Sequence, residues 1–209
     1  MFVPPADRTL GEHEWRPWVA AQGFGQVVAA GPDGWPVVVP TQFVLEGDEV
    51  LFHVAAANPL LAALAADARA VLAVAGDWAF VPSAWKAVGD DDPLLGIPTT
   101  YYAAVQLRGR ATVLDDPADV AAVLRTQLAA IQPGLAVADP AEAHGAQLRG
   151  IRAVRLSVGQ VVAKFKYGGN VDAEHRRGVA ERLDRRAGPG DGAAAAHLRR
   201  RSAAAGDPV

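Results

Sequence analysis

Lys164 and Lys166 alternate with Phe165 near the end of a segment, residues 151–166, that reads as a long strand. Alternation puts both ammonium groups on one face of a sheet. Two like charges there are costly unless they are solvated or matched by an anion. Lys86 is the only other lysine in the chain. The spacing marks Lys164 and Lys166 as phosphate candidates, with a plain solvated face as the alternative. A second place suited to an anion is the strand-to-helix junction at residues 51–64. There Asn58 is a helix cap and Pro59 sits at the first helical position. A helix start offers backbone N–H groups and partial positive charge. His53, in the strand before it, could donate to a ligand or act as an acid. It could equally be satisfied by hydrogen bonds beside the core. Tyr101, Tyr102, Trp78 and Trp85 offer flat surfaces for an aromatic ring, although aromatics in such folds more often fill the core.

Other chemistries find little support. Cysteine is absent, which removes disulfides, iron–sulfur clusters, thiolate zinc sites and thiol nucleophiles. The three serines, Ser83, Ser157 and Ser202, lie in no G-x-S-x-G elbow. The five histidines, at positions 13, 53, 144, 175 and 197, never pair at i, i+3 or i+4 as a metal-binding helix would require. Asp90, Asp91 and Asp92 are adjacent, cannot all face one cation, and read as a solvated loop. Gly23-Phe24-Gly25 lacks the third glycine of a dinucleotide fingerprint, and no P-loop is present.

These residues must be positioned by a fold that is mainly β with inserted helices. The 209 residues, 51% hydrophobic and 21% charged, suffice for one sizeable core. A helix is expected over residues 9–22, with Thr9 and Glu12 as a capping box; Pro17 should kink it or divide it into two turns. Strands at 24–30, 35–45 and 50–55, joined by short turns, predict an antiparallel meander. The Asn58 helix follows, with Leu60, Leu61 and Leu64 facing the core. Strands are then expected at 69–75, 79–81 and 101–114. Asp116 and Pro117 open a second helix that carries Val120, Val123, Leu124, Leu128 and Ile131 at helical spacing. Residues 132–149 read as loop with room for a short helix. The last long strand, 151–166, has Gly159 as a bend or bulge, and a terminal helix covers about 172–186. Six to seven antiparallel strands without βαβ alternation point to a barrel. The expected organisation is one domain over 1–187 and a flexible Ala/Gly/Arg-rich tail over 188–209.

Residues 175–209 hold 8 arginines against 4 acids, and residues 1–174 hold 12 basic residues against 19 acids. A basic end on an acidic body can meet nucleic acid or an acidic partner, or simply be a solvated helix. No apolar run is long enough for a membrane span, and the start lacks a secretory pattern. A cytoplasmic protein is the expectation.

The same places carry a family resemblance over about residues 1–183. Phe2-Val3-Pro4, the run His53 to Pro59 (HVAAANP), Ala79 to Trp85 (AFVPSAW) and Ile97 to Tyr102 (IPTTYY) resemble, in order, motifs of the PaiB-type FMN-binding negative transcriptional regulators. So does Lys164-Phe165-Lys166 followed by Asn170, Glu174, Arg176, Gly178, Val179 and Leu183. That family belongs with the pyridoxamine-phosphate oxidases among flavin-binding split barrels. The resemblance implies a homodimeric FMN-binding split β-barrel with two FMN sites at the subunit interface. It implies ring contacts from Thr41, Gln42, Phe43, His53 and Val54, and further contacts from Asn58, Thr99 and Tyr101. Lys164 and Lys166 would meet the phosphate. Three places depart from the pattern. Ala56 stands where the family has arginine, Thr100-Tyr101 replace Trp-Asn, and Gly168-Gly169 replace Ser-Gln. The phosphate charge must then come largely from the lysines. The implied function is a flavin-binding transcriptional regulator, with DNA meeting the Arg-rich C-terminal region. The alternatives are a flavin-dependent oxidoreductase and a barrel that binds another ligand in place of FMN.

Overall fold

The computed structural model describes residues 1–86, 92–136 and 138–204. Its elements follow in chain order. Helix α1 (Glu12–Gln22) leads to strands β1 (Phe24–Ala30), β2 (Pro36–Gln42), β3 (Val44–Glu46) and β4 (Glu49–Ala55). Helix α2 (Pro59–Ala66) precedes β5 (Arg69–Val81) and β6 (Thr99–Leu114). Helices α3 (Pro117–Ile131) and α4 (Pro140–Leu148) precede β7 (Ile151–Lys166), and α5 (Ala173–Arg186) and α6 (Asp191–Ala204) close the chain. The seven strands form one sheet in the order β2-β1-β5-β6-β7-β4-β3. The pairs β1–β2, β1–β5, β3–β4 and β4–β7 are antiparallel. Among the described residues no helix is long and apolar enough to cross a membrane.

The chain folds into two compact units. One comprises residues 1–15, 75–105 and 163–209; the other comprises 16–74 and 106–162. The second unit buries Leu51, Val120, Ala121, Val123, Leu148 and Ala153 as one apolar cluster, so α3 and α4 cover β4 and β7 there. Asn58 caps α2 through Leu60 N–H, and Asp116 caps α3 through Ala118 N–H, each with proline at the first turn. Leu60, Ala63 and Leu64 are buried on α2, while Leu61 is only half-buried.

Several expectations are corrected. The strand expected over 35–45 breaks at Phe43, whose N–H donates to Gly23 O. The chain leaves β2 at one edge of the strand order and enters β3 at the other, so the third expected strand pairs with β7 and not with β2. The two strand pieces expected in 69–81 are one strand, with Asp77 at φ 51 where the gap was read. Pro17 lies inside an unbroken α1. At the start of α1, Glu14 Oε2 accepts from Thr9 Oγ1 at 2.8 Å and from Leu10 N–H at 2.6 Å. Residues 191–204, expected to be flexible tail, form α6. Its small side chains let it dock closely, and Ala194, Ala195, His197, Leu198 and Ser202 are buried. The expected loop through Asp90 and Asp91 lies outside the described residues; Asp92 caps a short 3-10 turn through Leu94 N–H.

Candidate functional site

The sequence-derived candidates fall into two sets, one in each unit. The lysine set lies in the unit formed by residues 1–15, 75–105 and 163–209. Strand alternation in β7 sends Phe165 into the core and leaves Lys164 and Lys166 half-buried on the other face. Both ammonium groups stand over Tyr102, with Nζ 5.5 Å and 5.9 Å from its ring centroid. Lys166 Nζ donates to Thr99 Oγ1 at 2.7 Å. Lys164 Nζ lies 3.4 Å from the buried Asp7 carboxylate. The third lysine, Lys86, places its Nζ 5.9 Å from the Tyr101 ring centroid.

All three lysines of the chain therefore converge on the Tyr101–Tyr102 pair. Burial lowers the Lys164 pKa, but the hydrogen bonds it donates to Tyr102 and Asp7 outweigh this and hold the ammonium above the usual lysine range. Burial and the nearby charge of Lys166 pull Lys86 below that range. Burial and the Lys86 charge likewise lower His175, at the start of α5. Burial pushes the Tyr101 hydroxyl up to about 12, and its oxygen is buried without a hydrogen-bond partner. Among the described residues Asp7 is the one carboxylate paired with this lysine group, so the donors there outnumber the acceptors and the cluster suits an anion such as a phosphate ester.

Gly168 and Gly169, where the sequence departs from its resemblance, are explained by close approach. Gly168 has φ 67 and lies beside the Tyr101 hydroxyl; a Cβ on Gly169 would come within 2.0 Å of Ala6 O.

The histidine set lies in the unit formed by residues 16–74 and 106–162. His53 Nδ1 is 2.7 Å from Gln127 Oε1, and Gln127 Nε2 donates to Gln42 O at 3.2 Å. The second bond fixes the amide. Its oxygen must accept, so His53 Nδ1 carries the proton and neutral His53 presents Nε2 as an acceptor. Thr41 Oγ1 reaches His53 O at 3.5 Å and Gln42 O at 3.2 Å. Gln127 is not among the residues that the sequence singled out, yet it is 2% exposed. A polar residue in the middle of an amphipathic helix face was the available signal.

The remaining candidates of this unit are Phe43, Val54 and Asn58. Phe43 and Val54 are buried, and Val54 is paired with Arg152 in the ladder. The first turn of α2 has no N–H to spare. Pro59 has none, Leu60 N–H meets Asn58 Oδ1 and Leu61 N–H meets Asn58 O. The α2 start is thus capped from within the chain.

The strand arrangement is mirrored in solved structures. A conserved hypothetical protein from Mycobacterium tuberculosis matches with TM-score 0.60 at 13% identity, over 82% of this chain and 94% of that one. The FAD and heme binding protein from Mycobacterium smegmatis matches with TM-score 0.57 at 22% identity, over 77% and 75%. The flavocytochrome Anf3 from Azotobacter vinelandii matches with TM-score 0.55 at 24% identity, over 70% of this chain. The chain spans 63% of that flavocytochrome's length. No curated protein sequence matches it. The fold is thus a split β-barrel, mainly β with inserted helices. A family model described as "Putative FMN-binding domain" matches residues 1–160, and the chain belongs to that FMN-binding family.

Proposed function

We propose that this chain binds FMN and acts, as a homodimer of the PaiB type, as a negative transcriptional regulator. The observation that carries the cofactor reading is the convergence of Lys86, Lys164 and Lys166 on Tyr101 and Tyr102, in a chain whose family binds FMN. Lys164 and Lys166, with Thr99, are assigned to the phosphate. Within the other unit, His53 Nε2, set by Gln127, is assigned separately as a hydrogen-bond acceptor for a ligand. FMN supplies the redox chemistry when bound, and the chain's residues orient and tune it.

The dimer is supported by Leu94, Leu95 and Ile97, which are 85%, 76% and 79% exposed within four residues of one another. Apolar side chains that open to water favour burial against a second copy. The DNA reading rests on fewer charges than the composition suggested. Five of the eight C-terminal arginines are engaged within the chain. Arg176 donates to Ser202 Oγ and to Gly168 O, Arg186 pairs with Asp191, and Arg199 pairs with Asp184. Arg200 meets His197 Nδ1, and Arg201 donates to Phe165 O. Arg177, Arg182 and Arg185 of α5 remain for phosphate contacts.

The test uses the full purified chain loaded with FMN. Anaerobic NAD(P)H should leave the oxidised flavin spectrum intact over minutes, and fast bleaching would overturn the regulatory reading in favour of an oxidoreductase. DNA binding should weaken with salt at a log–log slope of about −3, one phosphate per available arginine. A slope near zero, or no binding, would remove the DNA contact.

A further inference from the structure

We propose that the unit formed by residues 16–74 and 106–162 carries a second ligand site, a cleft that takes an aliphatic carboxylic acid. The cleft has a volume of about 610 Å³, within the usual range for small-molecule sites. It crosses β2, β1, β5, β6 and β7, and so reaches across roughly 19 Å at ordinary strand spacing.

Its floor is apolar for a reason visible in the register. Val28 of β1 stands directly opposite Val71 of β5, so their side chains share one face, and Ala30 and Pro36 extend it toward the β2 edge. No aromatic side chain is among its described lining residues, so the floor suits an alkyl chain better than a stacked ring.

Arginine forms the rim. Arg69 is held by Asp67, with its Nη2 2.6 Å from Oδ2. Arg108 and Arg110 sit two apart on β6, and neither forms a salt bridge among the described residues, although Arg110 shares the field of the Asp67 carboxylate. Arg108 donates only to the neutral amide oxygens of Gln106 and Gln160, at 2.7 Å and 3.4 Å. Two guanidinium groups beside an alkyl-lined floor match a carboxylate on an aliphatic body.

Gly159 of β7 gives the cleft its open end. Read from sequence as a bend or bulge, it lies within β7, and a Cβ built there meets nothing within 4 Å. The position therefore accepts a side chain that fills the cleft without displacing a neighbour.

Decanoate titrated calorimetrically into the full chain provides the test. The expected result is saturable one-to-one binding, at least tenfold tighter than decanol. Gly159→Leu should abolish that binding with an unchanged melting curve, and the pair Arg108→Gln and Arg110→Gln should weaken it at least tenfold. The proposal is overturned by absence of saturable binding, by equal affinity for decanol, or by full binding to the Gly159→Leu chain. It is equally overturned if Gly159→Leu changes the oligomeric state while decanoate never binds, since the cleft would then be an interface between copies.

Discussion

His53 and His197 sit in polar networks of similar size but opposite design. His197, on α6, is 4% exposed and fixed at both nitrogens: Nε2 lies 2.9 Å from Asp77 Oδ2 and Nδ1 lies 2.8 Å from Arg200 Nη1. The Tyr167 ring stacks on it at 4.3 Å, and the Tyr167 hydroxyl donates to Asp77 O. Arg200 cannot accept a proton, so Nδ1 must be the lone-pair nitrogen and Nε2–H must face the carboxylate. His53 is half-buried and, among the described residues, fixed at Nδ1 alone. A histidine closed on both sides locks two elements together, here α6 to β5. A histidine held on one side keeps an acceptor for something outside the chain. The comparison separates a structural histidine from a candidate functional one by the count of satisfied nitrogens.

The largest expected effect breaks the closed network. Asp77→Ala leaves His197 Nε2–H buried without an acceptor and should cost about 2–3 kcal/mol in urea denaturation, whereas Asp77→Asn, which keeps an acceptor, should cost less than half of that. Equal losses for the two variants would show that the acceptor for His197 Nε2–H is not what holds this position. Next comes the open network. Gln127→Leu should cost about 1–2 kcal/mol, and nitrogen NMR should show His53 losing its single Nδ1–H tautomer while His197 keeps Nε2–H.

A pH effect follows in third place. Burial, then the Arg200 charge, lower the His197 pKa despite its bond to Asp77. The unfolded chain therefore takes up the proton first. The stability that neutral His197 contributes is complete above about pH 6.5 and declines as pH falls toward the folded value. Denaturation midpoints should drop over that range and stop doing so in His197→Gln. The smallest effect concerns the exposed pair Arg199–Asp184, whose side chains are 44% and 45% exposed. Arg199→Ala should cost under about 0.5 kcal/mol.

Much of the frame was legible because local signals and tertiary packing agree. The Asn58-Pro59 and Asp116-Pro117 starts are caps in the structure, and the strands over 24–30 and 151–166 have the expected bounds. The failures have particular causes. Helix α6 buries alanines and a histidine in place of large apolar residues, so composition read it as tail. The break at Phe43 depends on a backbone bond to Gly23, which no pattern encodes. The lysine cluster was half visible: alternation puts Lys164 and Lys166 on one face, but Lys86 joins them only through the fold. Gln127 was hidden because helical periodicity counts apolar positions and passes over a buried amide.

The central claim is that this lysine cluster holds the phosphate of a flavin. Parallel titrations of FMN and riboflavin, followed by quenching of flavin fluorescence, test it most directly, because the two ligands share a ring and differ only at the phosphate. FMN should bind at least tenfold more tightly, and Lys166→Met should bring the ratio close to one with riboflavin affinity unchanged. Equal affinities in the unaltered chain, or a ratio that Lys166→Met leaves intact, would contradict it.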